Sequence, residues 1–186
     1  NTTGADNVFI GGVAGKCNQT GNENIFIGRA AGCCNNARNN IALGNFALNQ
    51  NVNGVDNIFL GQLAGQYNVN SSSVFMGQVA GRFNLAGCNI GIGKSALMGD
   101  QTTKATGQHN IALGDEAGCC VTSGERNIWL GRYAGQCVRT GSRNIGIGYS
   151  ALQGQGAATT GEDNIAMGCK AGLLMTTGRY NVLFGR

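Results

Sequence analysis

The 186-residue chain has no proline, one histidine and one tryptophan, and only 12% of its residues are charged. The lack of proline and of any G-x-y period excludes a collagen-like chain. One histidine cannot complete several metal sites, so no metal and no cofactor is expected. The basic residues, 13 against 9 acidic, are scattered and leave a net charge of only +4. So thin and dispersed a charge argues against nucleic acid as a partner. Apolar runs are a few residues long, too short for membrane insertion. No leader is recognisable and the first residue is Asn1. The expectation is a mature product or a piece of a longer chain.

What is present is glycine, 33 residues of it, with abundant asparagine and eight cysteines. These fall into a repeat. Aligned on Gly11, Gly28, Gly44, Gly61, Gly77, Gly93, Gly114, Gly131, Gly148, Gly168 and Gly185, the copies are 16 to 21 residues apart. Four residues before each glycine stands Asn7, Asn24, Asn40, Asn57, Asn89, Asn110, Asn127, Asn144, Asn164 or Asn181, with Ser73 as the exception. Isoleucine or valine follows that residue, and alanine stands three residues after the glycine, from Ala14 to Ala171.

The alternation in N-I-x-I-G predicts a very short strand, bounded by turn signals. Three residues cannot bury a face alone, but stacked copies can share a core. A 17-residue turn has a contour of roughly 55 Å and closes as a flattened coil. A turn of three repeats would be too wide for these side chains to fill. The expected fold is therefore all-β: one domain over residues 1–186, a parallel β-solenoid or β-roll of about eleven coils of 16–21 residues, one repeat per coil. Stacking places the asparagines as a ladder of side-chain amides. The alanine column implies a tight approach of the coil's two sides.

Three further features follow from stacking. Cys17 falls over Cys34, and Cys120 over Cys137, at a Cα spacing of about 5 Å, inside the disulfide range. These four are disulfide candidates, the alternative being small buried thiols. Cys33, Cys88, Cys119 and Cys169 have no evident partner and are either unpaired or intersubunit. With the flanking isoleucines read as core, Phe9, Phe26, Phe59, Phe75 and Trp129 face outward as an apolar stripe, open to lateral packing or covered by longer loops. A period of three overlies the repeat: the residue after the alanine is glycine except at Leu48, Leu97 and Leu152. That beat is either read from outside or left by duplication of a three-coil unit.

No catalytic constellation is evident, so no enzyme is expected. His109 lies in the turn TGQHN and is expected to be solvated. Asp6, Asp56 and Asp163 share a column with Glu23, Arg126, Arg143 and Tyr180, too mixed for a required acid or calcium ligand. GIGKSAL (91–97) lacks the phosphate-loop spacing and is one more repeat. Asn1, Asn18 and Asn70 fit glycosylation acceptor triplets.

TGNENIFIGRAAG (20–32) and TGSRNIGIGYSAL (140–152) carry a likeness that covers nearly the whole chain. The phrase resembles the head repeats of trimeric autotransporter adhesins, and the repeats of bacterial and phage tail-fibre-domain-containing proteins. The resemblance implies a parallel β-roll, often trimeric, used in surface attachment. The expectation is an extracellular or cell-surface structural or adhesive fibre, partnered by itself as a homo-oligomer or filament and by surface glycans. The alternative is the shaft or receptor-binding region of a phage tail fibre, on a virion tail.

Overall fold

The computed structural model describes residues 3–154 and 159–185. Among them there is no helix, hence none long and apolar enough to cross a membrane. Eleven three-residue strands appear, one per repeat: β1 Val8–Ile10, β2 Ile25–Ile27, β3 Ile41–Leu43, β4 Ile58–Leu60, β5 Val74–Met76, β6 Ile90–Ile92, β7 Ile111–Leu113, β8 Ile128–Leu130, β9 Ile145–Ile147, β10 Ile165–Met167 and β11 Val182–Phe184. They form one parallel sheet in chain order, β1 to β11, so that each strand pairs only with the previous and the next coil. The register is that of the repeat: Phe9 lies against Phe26, Ala42 against Phe59, and Trp129 against Gly146. This is a β-solenoid.

The coil closes through left-handed corners. The residue before each phrase asparagine has φ of 56 to 61°, whether it is Asp6, Glu23, His109, Arg126 or Tyr180. A second corner follows two residues after the glycine, where even Val13 and Val79 take φ of 58 and 55°. Left-handed backbone costs a non-glycine residue on the order of 1–2 kcal/mol, more for a β-branched one. Hydrogen bonds between coils hold the corners, such as Glu23 N to Ala5 O at 3.0 Å and Ala30 N to Gly12 O at 2.9 Å. The mixed chemistry of the Asp6 column thus reflects a backbone role. The phrase glycine has a stricter reason. At Gly28, φ is 131° and an added Cβ would lie 2.6 Å from the carbonyl oxygen of Gly44 in the next coil.

The asparagine ladder is present. Asn24 donates through both its backbone N and its Nδ2 to Asn7 Oδ1, at 3.0 Å each. The pattern recurs where Asn57 Nδ2 meets Asn40 Oδ1 and Asn127 Nδ2 meets Asn110 Oδ1, both at 3.0 Å. Each Nδ2 also reaches a turn carbonyl, Gly141 O for Asn127 at 2.9 Å. Ser73 keeps the backbone half of the ladder by accepting from Asn89 N at 3.4 Å. A second asparagine column, Asn18, Asn35, Asn51, Asn68 and Asn84, is buried beside the core and gives way to Val121 and Val138 farther along. The first two are incompletely bonded: Asn18 Nδ2 and both polar atoms of Asn35 have no protein partner.

The core reverses the expected sidedness. Phe26, Phe59, Phe75 and Trp129 are 0% exposed and Phe9 is packed against the same cluster, so the stripe expected outside is the interior. Phe9 stacks on Phe26 at 5.1 Å and Phe59 on Phe75 at 5.2 Å between ring centroids. The flanking isoleucines point out. The reason is the opposite wall of the coil. A Cβ on Gly32 would lie 2.4 Å from the Phe26 ring, one on Gly65 2.5 Å from Phe59, and one on Gly135 2.2 Å from Trp129. Where the strand offers only Ala42, Gly91 or Gly146, the facing residue is Leu48, Leu97 or Leu152, each buried. Large meets small in every such coil. The period of three is therefore a packing rule of the interior, with large and small residues trading places across the coil. Ala112 and Gly118, both small, are covered by Trp129 and Leu97 from neighbouring coils.

Candidate functional site

Turning the strands inside out leaves a continuous apolar surface. Each of the eleven strands presents its first and third residues to solvent, and every one of these is isoleucine, valine, leucine, methionine or phenylalanine. None is buried. Mid-rod positions such as Ile58 and Ile92 remain 38% and 39% exposed. The two columns stand about 6.6 Å apart and run roughly 48 Å along the rod. The result is an ungapped apolar ribbon, aliphatic at every position but Phe184. All-parallel sheets occur almost only with both faces covered, and here only the inner face is. The signal that could have located the ribbon was the pairing of large with small: phenylalanine opposite glycine, alanine or glycine opposite leucine.

The cysteines stack as the repeat predicts, with Cys17 N donating to Cys33 O at 2.8 Å and Cys120 N to Gln136 O at 3.0 Å. No disulfide joins the candidates in this structure: Cys17, Cys34, Cys120 and Cys137, like the other four, stand as thiols. The candidate cysteines lie in turns, and in-register coils stack like side chains in the same direction at about 4.8 Å. A disulfide needs Cβ atoms near 3.8 Å that lean toward each other. Stacking alone does not supply that lean.

Two thiol clusters result. Cys33, which had no evident partner, joins Cys17 and Cys34 in a group whose sulfurs all lie within 4.8 Å of one another. Burial, then the neighbouring Cys33 and Cys17 sulfurs, push the Cys34 thiol up to about 11. In the second cluster the Cys119 and Cys120 sulfurs are 3.9 Å apart. Hydrogen bonding with Cys119, aided by the Arg139 guanidinium, brings Cys120 down to about 7 against its burial, while buried Cys119 keeps its proton. Cys88 and Cys169 are exposed and isolated from both clusters.

The turn faces carry two shallow clefts. One, of about 410 Å³, crosses three coils and is lined by Thr20, Asn22, Asn36, Arg38 and Asn53 among others. The other, about 190 Å³, lies against the stacked pair Tyr67–Phe83, with Gln101 and Lys104. That pair occupies the cysteine column, as its apolar character suggested. His109 is exposed at a corner. Of the glycosylation candidates, Asn18 is 0% exposed and its Oδ1 accepts from Gly21 N at 3.1 Å, which removes it. Asn70 is exposed, and Asn1 lies outside the described residues. Compared with protein-family models, curated proteins and solved structures, the chain matches none.

Proposed function

We propose that this chain is an extracellular structural or adhesive fibre element that associates side by side with further copies of itself through the aliphatic ribbon. The observation that carries the reading is the outward Ile-x-Ile face, apolar at every rung and buried at none. The ribbon is roughly 48 Å by 10 Å, so two copies face to face would bury on the order of 1,000 Å², the scale of a specific interface. Sheets pack face to face at about 10 Å, and a face that repeats one pattern at every rung offers the same spacing to its own copy. The likeness of N-I-x-I-G-x-x-A to adhesin head repeats supports the same use. In this reading the chain carries no catalytic step and no cofactor; it acts by resisting pulling and proteolysis through stacked ladders and a packed interior.

The amide-rich cleft and the Tyr67–Phe83 platform favour a second reading, the shaft or receptor-binding region of a phage tail fibre that meets host glycans there. Glycan-array binding lost on Tyr67→Ala, with wild-type assembly retained, would favour it.

Light scattering on size-separated material tests the first reading. The wild type runs as a dimer or larger species. The variant Ile27→Lys/Leu60→Lys/Ile92→Lys runs as a monomer with an unchanged far-ultraviolet spectrum, because each lysine would bury a charge in the joint. A wild type that stays monomeric at high concentration defeats the reading.

A further inference from the structure

We propose that Cys17, Cys33 and Cys34 form a binding site for a thiophilic d10 cation of the zinc and cadmium class, held by three thiolates with a fourth position open to water. The inference is independent of self-association.

Three donors from two successive coils converge. Their sulfurs already lie within 4.8 Å of one another, and no other group of three metal-ligating side chains among the described residues meets so closely. A metal–sulfur bond of about 2.3 Å sets sulfur–sulfur edges of about 3.8–4.0 Å, so closure needs shifts below about 1 Å. Rotation about χ1 supplies that without moving the backbone. The backbone itself is fixed: Cys17 N donates to Cys33 O at 2.8 Å, and Cys34 N donates to Asn49 O in the following coil at 3.0 Å. Adjacent residues of a strand would point to opposite faces, but 33 and 34 lie in a turn, which lets both sulfurs turn to one side. The donor set is sulfur alone, which selects soft cations over magnesium or calcium. All three residues are partly or fully exposed, so an ion can enter from solvent.

On binding, the divalent cation takes three thiols as thiolates and releases three protons; no oxidant or reductant is consumed. The complex ties the first coil to the second and adds stability that rises with the logarithm of the free cation once this exceeds Kd. The second cluster lacks this convergence. Its Cys119 is buried and paired at 3.9 Å with Cys120, and it does not gather three sulfurs within the same distance.

The probe is Cd(II) added to the full chain, reduced and desalted without oxygen, and followed by the ultraviolet thiolate-to-cadmium charge-transfer band and by the rise in melting temperature. The expected result is one tight equivalent per chain. Cys33→Ser and, separately, the more exposed Cys17→Ser lose the band at one equivalent and weaken binding by more than about 100-fold. Cys119→Ser keeps the first equivalent. No band at one equivalent overturns the proposal, as does a band that survives both Cys33→Ser and Cys17→Ser, or one that Cys119→Ser removes equally. Because Cys17 and Cys33 lie in different coils, misfolding of one variant leaves the other to decide.

Discussion

Phe59 and Gly65 face each other across one coil, and that pair sets the logic of the interior. The glycine is needed because a Cβ there would lie 2.5 Å from the ring. Its backbone, at φ 54°, is one that leucine also takes at Leu48 and Leu97, with φ of 50 and 47°. Geometry therefore permits the exchange that sterics forbid. Phe59→Ala should cost about 3–5 kcal/mol by leaving a cavity. Gly65→Leu alone should cost at least about 1–3 kcal/mol by overpacking. The double variant rebuilds the Ala42–Leu48 arrangement and should recover a coupling of about 1–3 kcal/mol in a double-mutant cycle followed by denaturant unfolding. Additive losses would mean that the two positions do not share one space.

At the scale of the strand and its neighbours, three residues per coil are held by what runs along the rod. The asparagine ladder is the chief agent. Asn127 Oδ1 accepts from Asn144 N at 2.9 Å and Nδ2 at 3.2 Å, and its own Nδ2 donates to Asn110 Oδ1 and Gly141 O. Asn127→Ala strands buried partners on both sides and should cost about 2–4 kcal/mol, from several unsatisfied groups at about 1–3 kcal/mol each. Asn127→Ser, copying Ser73, keeps the backbone acceptor and should cost less than half as much. Thermal unfolding of the two variants checks the order; equal losses would show that the ladder's oxygen contributes nothing. This ladder, the parallel stacking and the coil length were legible in the sequence because each is fixed by position in the repeat. The inward face was not. Period-2 alternation separates two faces without naming the inner one, and both were apolar here. The choice was decided by the far wall of the coil, where Gly32, Gly65 and Gly135 leave room for a ring. The meeting of Cys33 with Cys17 and Cys34 was hidden for a related reason: it depends on a turn that brings neighbours in sequence to the same side. The absence of disulfides followed from side-chain direction, which column spacing does not carry.

Across the whole molecule, one sheet of eleven parallel strands has a packed inner face and a bare aliphatic outer one. The inner face accounts for the period of three, and the outer face is the surface proposed to meet a second copy. The most direct measurement is carbene footprinting from a photolysed diazirine, read strand by strand by mass spectrometry at low and high protein concentration. The account predicts that Phe59, Phe75 and Trp129 stay unlabelled throughout. It predicts that the outward residues, from Ile25 to Met167, are labelled when dilute and become protected on association. Labelled rings in the folded chain, or a ribbon equally labelled in an associated one, would contradict it.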